Sequence, residues 1–70
     1  MNTKELMNME VMDVNATRIG KVKDIVFDLQ QGAINHIVVK AGLTKKYYIS
    51  LDKIDKIGDK IILKVRESEL

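Results

Sequence analysis

The sequence predicts an all-β domain, a small and partly open barrel of five or six short strands, and three observations lead there. The apolar residues are mostly β-branched, with nine Ile and seven Val against six Leu, and the chain has no Pro and only four Gly. Apolar side chains fall on both parities of the two-residue strand repeat, so an open sheet would leave one apolar face in water. Gly, Asn and Asp punctuate the strand-like runs at short intervals, as tight turns require.

The elements follow in chain order. Thr3 to Met9 reads as a single helical turn begun by Thr3, too short to persist without packing. From Ile19 to Leu29 one continuous pleat does not put Ile19, Val22 and Phe27 on the same side, which predicts a β-bulge or sharp bend near Lys23 and Asp24. Gln30-Gln31-Gly32 then makes a hairpin turn, with Gly32 supplying a positive φ and Asp28 closing it. The return strand Ala33 to Ala41 contains Ile37-Val38-Val39, a run suited to burial on both faces. Tyr47, Ile49 and Leu51 share one face of the next strand, and Tyr48 and Ser50 the other. Asp52 to Ile57 is predicted as a 3₁₀ turn or a short strand, and Lys60 to Val65 alternates as a one-faced strand. The predicted core includes Val22, Val26, Ile37, Val39, Ile49, Ile61 and Leu63.

Seventy residues form one domain, 1–70, with no room for a second core. Small cores seldom supply more than about 3–5 kcal/mol without disulfides, a metal or a partner chain. With no Cys and one His, the first two supports are absent from the sequence and association becomes the expected third. The contact predicted is a symmetric homodimer through Met7, Met9, Tyr48 and Ile62. The sequence contains no apolar run of membrane-span length and no signal-peptide pattern, so a cytoplasmic protein without membrane insertion is expected.

Catalytic patterns are missing from the sequence. Nucleophilic catalysis needs a Ser, Thr or Cys beside an oriented base, and His36 has no second His or Cys to share a metal. Asp24 and Asp28 lie four residues apart on a strand, about 13 Å at the ordinary rise, too far to share a cation. They and Asp13 read as turn and bulge acceptors. Phosphate-cradling glycine loops are absent as well. No catalytic residue, metal ligand or cofactor is predicted, and an enzyme is not expected.

Formal net charge is +2, but the charge is uneven. Residues 1–39 carry 4 basic and 5 acidic side chains, and residues 40–66 carry 8 and 3. Lys45-Lys46 beside Tyr47-Tyr48 sets cations next to stacking rings, a combination used by single-stranded nucleic-acid sites; a solvated lysine loop before a core strand uses the same residues. An RNA face would draw on Arg18, Lys21, Lys23, Lys45, Lys46 and Tyr48, and it gains if these bases share one face without interspersed acids.

From Leu6 to Val65 the residue order resembles the PRC-barrel domain family, whose barrel is SH3-like. The matching positions are Val11 and Asp13, Ile19-Gly20, Lys21-Val22-Lys23-Asp24, Phe27-Asp28, Gly32 and Ile37-Val38-Val39, then Tyr48-Ile49-Ser50-Leu51, Ile54, Ile57 and Gly58. Asn8 and Ala16 stand where the family usually has Gly; the turn at Ala16 is therefore expected to take a different geometry. The short chain is similar to stand-alone members from archaea and spore-forming bacteria. The resemblance implies a non-enzymatic protein-protein adaptor, with archaeal cell-division machinery or a ribosomal protein as the larger partner. The alternative it implies is an RNA- or ribosome-associated barrel in RNA processing or ribosome maturation.

Overall fold

The computed structural model describes residues 2–70. Asn2 caps one helical turn, α1 (Thr3–Leu6), where its side-chain oxygen accepts the Glu5 N–H at 3.0 Å and the turn seats Leu6 in the core. The turn ends at Leu6 rather than Met9, because Met7 already has extended backbone.

Six strands follow: β1 (Glu10–Met12), β2 (Arg18–Asp28), β3 (Ala33–Ala41), β4 (Lys45–Ser50), β5 (Ile54–Ile57) and β6 (Ile61–Leu63). They pair in the order β4-β3-β2-β1-β6-β5, with every pairing antiparallel except that of β1 with β6. The long strands β2, β3 and β4 form a meander. The ladder does not run from β5 back to β4, so the curled sheet is a half-barrel with two strand edges. No helix among the described residues is long and apolar enough to cross a membrane.

The predicted bulge lies at Lys23: Val22 opposes Val39 and Asp24 opposes Val38, which leaves Lys23 without an opposite residue. The Asp24 carboxylate accepts the Ile25 N–H at 2.8 Å there. A second shift sets Val26 against His36 and Phe27 against Ile34. These two irregularities sort the side chains. Val22, Val39 and Ile49 point inward together with Ile37, all buried, while Lys21, Asp24, Val26, His36, Lys40, Lys46 and Tyr48 share the outer face by register. Val26 therefore departs from the predicted core and is only half-buried, since the bulge carries it outward.

Val11, Ile19, Ile61, Leu63 and Leu6 complete the core. Leu51, expected on the β4 face, instead opens a 3₁₀ turn (Leu51–Lys53), where the Ser50 hydroxyl donates to Asp52. The last strand is shorter than Lys60–Val65. Beyond Leu63 the backbone turns to other partners, Lys64 N–H donating to Lys53 at 2.8 Å and Val65 C=O accepting from Val14 at 3.0 Å.

Asp13 is buried and ties the ends of the fold together. Its Oδ1 accepts the N–H groups of Asn15 (2.9 Å) and Thr17 (2.8 Å), and its Oδ2 accepts that of Glu67 (2.9 Å). The Glu67 N–H does most to hold the carboxyl below its ordinary value; burial opposes it, and the Thr17 and Asn15 bonds add to the lowering. The turn this carboxylate organises corrects one expectation. Ala16 adopts φ 63°, and Asn8 φ 66°, so both positions that lack the family glycine keep left-handed backbone.

Candidate functional site

The register of β2, β3 and β4 builds a basic row across the outer face. Lys21 opposes Lys40 and Lys40 opposes Lys46, so three ammonium-bearing side chains stand side by side on three neighbouring strands. Directly opposed residues have Cβ atoms roughly 4.5–5.5 Å apart, and like charges so placed destabilise a sheet. Two residues further along β3 and β4, on the same face, Asp24 opposes Val38 and Val38 opposes Tyr48. Tyr48 is 69% exposed, and its ring meets that of His36 edge-on with centroids 5.9 Å apart. A basic row and an aromatic pair thus run next to each other.

Beside this row, Arg18, Lys21, Lys23 and Lys40 line an open cleft of about 500 Å³ with Gly42 and Leu43, and no carboxylate lines it. Gly20 makes the close approach possible, because the backbone of Lys40 and Ala41 packs over the place a side chain would occupy. Two acids, Glu10 and Asp24, are interspersed on this face. Glu10, opposite Lys21, engages Arg18 at 3.5 Å and Lys60 at 3.9 Å, while Asp24 in the second row bonds to backbone. Among the described residues, Lys21, Lys23, Lys40 and Lys46 have no ion-pair partner.

Of the residues predicted for an RNA face, Arg18, Lys21 and Lys23 meet in the cleft, and Lys46 and Tyr48 lie on the same outer face. Lys45 does not join them. It has the opposite parity, and its Nζ lies 4.9 Å from the centre of the Tyr47 ring, whose hydroxyl raises the lysine pKa. Lys40, at the centre of the row, was missed by sequence reasoning, because only the pairing register places it between Lys21 and Lys46.

The residues predicted for a homodimer contact are dispersed. Met9 packs against the core and its carbonyl accepts the Val22 N–H at 3.0 Å, whereas Met7 is 37% exposed just after α1. Tyr48 lies on edge strand β4 and half-buried Ile62 on β6, with β3, β2 and β1 between those strands in the ladder. The three aspartates occupy separate turns and bulges. Asp28 accepts Gln30 N–H (2.9 Å) and Gln31 N–H (3.2 Å) through its side chain and Gly32 N–H (2.9 Å) through its carbonyl. Among the described residues, no three His, Cys, Asp or Glu side chains form a metal-binding group.

Fold and site together define a small barrel module with an open sheet edge and a basic outer face. A family model for the PRC-barrel domain matches residues 1–70, and the chain belongs to that family. No curated protein matches the chain.

Proposed function

We propose that the domain is a non-enzymatic docking module that pairs with a second copy of itself along β4 and presents its remaining surface to a larger protein. The observation that carries this reading is the open end of the ladder at β4, where half the strand's N–H and C=O groups face outward without partners. Strand addition at such an edge is a general mode of recognition. An antiparallel pairing centred on Tyr48 sets Lys46 across from the partner's Ser50, which keeps the lysines of the two copies apart. A two-fold contact of this kind closes on itself and does not propagate. The resemblance to stand-alone archaeal members makes cell-division machinery the partner class to test first.

Light scattering across a dilution series tests the self-association. The expected mass is twice 8.0 kDa at high concentration, falling on dilution. A mass that stays at 8.0 kDa throughout removes the β4 pairing. A pull-down with and without nuclease then separates a protein partner from an RNA-mediated one.

A further inference from the structure

We infer that the outer face of β2, β3 and β4 is a binding site for single-stranded RNA, with Lys21, Lys40 and Lys46 meeting phosphates and Tyr48 stacking a base. This site uses outer-face side chains rather than the β4 backbone edge, but Tyr48 and Lys46 also flank the proposed pairing there, so binding is read together with mass.

The lysine row carries the argument. Two like-charged cross-strand pairs weaken the sheet, and among the described residues no carboxylate forms an ion pair with any of the three. A polyanion would neutralise all three at once. Lys23, which has no ion-pair partner among the described residues, extends the same positive surface into the adjoining cleft beside the Glu10-paired Arg18. The second observation is the exposed Tyr48 ring two residues from Lys46 on one strand face, a separation of about 7 Å. Cations following a backbone beside a free aromatic face are the elements of sequence-tolerant single-strand binding. Duplex RNA or an acidic peptide would match the charge and leave the ring unused. Two acids border the site: Glu10 is paired with Arg18 and Lys60, while Asp24 bonds only to the Ile25 N–H and keeps its negative charge, against the three lysines of the row.

The test is fluorescence anisotropy of a short labelled oligouridylate with the whole domain. Neutralising three or four phosphates gives affinity that falls about 20- to 50-fold for a fourfold rise in salt. Tyr48→Ala weakens binding about 5- to 150-fold, while Tyr48→Phe, which keeps the ring, binds like the parent. Lys21→Ala, Lys40→Ala and Lys46→Ala combined abolish binding and flatten the salt dependence. The triple variant melts no lower than the parent because it removes the repulsion, and its mass by light scattering matches the parent's, so lost binding is neither lost folding nor lost self-association. No binding by the parent at low salt, or unchanged binding by the triple variant, overturns the assignment. So does equal binding of poly-glutamate or anionic phosphatidylserine vesicles with no effect of Tyr48→Ala, which would mark the face as a general anion surface.

Discussion

Replacing Gly20 by Ala gives the sharpest test of how the barrel bends. A Cβ at Gly20 would overlap the carbonyl oxygen of Lys40 and lie 2.8 Å from its carbon and 3.2 Å from Ala41 Cα. All three are backbone atoms of β3, so no side chain can swing away and the β2–β3 ladder itself must move. Overpacking costs about 1–3 kcal/mol, and with immobile neighbours the upper end applies. In a domain of this size about 3 kcal/mol lowers Tm by roughly 12–24 °C and removes most of a 3–5 kcal/mol reserve. Two controls calibrate the effect. Nothing lies within 4 Å of a Cβ at Gly58, so Gly58→Ala is expected to stabilise by about 0.4–1 kcal/mol through the unfolded chain. Gly32 is equally open but has φ +65°, so Gly32→Ala loses about 1–2 kcal/mol to backbone strain alone. Thermal and urea unfolding followed by circular dichroism rank the three. If Gly20→Ala melts with Gly58→Ala, β3 does not pass over Gly20 and the placement of Lys40 is wrong.

Further outcomes follow from the turns and the core. Ala16→Gly relieves a left-handed Ala and is expected to raise stability by about 0.5–1 kcal/mol after the glycine's extra unfolded entropy is subtracted, readable as an increase in Tm. The contribution of Asp13 is complete above its ordinary pKa of 3.8 and is lost as pH falls from there through its lowered folded value; acid titration of Asp13→Asn should show a shallower loss in that window, and an unchanged profile would assign the acid sensitivity elsewhere. Ile61→Ala truncates a side chain with no exposure and costs about 2–5 kcal/mol, enough to leave the domain largely unfolded by circular dichroism; a parent-like melt would place Ile61 outside the core.

The long strands were legible in the sequence because their patterns exceed one turn of ambiguity. Ala33–Ala41 has the predicted bounds, and the conflict among Ile19, Val22 and Phe27 located a bulge that register alone can confirm. What stayed hidden was short or relational. β1 contributes Val11, wholly buried, yet a three-residue strand has no period to read. Val26 looked like core until the bulge at Lys23 was counted, since that one shift puts it on the opposite face from Val22. The site was half legible for the same reason. The residue types Lys45, Lys46 and Tyr48 suggested a basic aromatic surface, but which lysine joins it depends on parity, and Lys40 enters only through its opposite numbers on β2 and β4.

The bond from the Glu67 N–H to Asp13 spans 54 positions of sequence, and the parallel pairing of β1 with β6 lies beside it. The β2-β3-β4 meander, by contrast, closes through local hairpins. Loop closure costs entropy before a distant contact returns any, so the meander is expected to assemble first and the β1–β6 seam last. Kinetically, the domain then has a clasp. Substitutions at Asp13 or Val11 should quicken unfolding in a chevron experiment while leaving the folding limb almost unmoved, whereas Ile37 or Val39 should slow folding itself. The lifetime of the folded domain is accordingly set at the seam, on the other side of β2 from the β3 and β4 residues expected to bind its ligands.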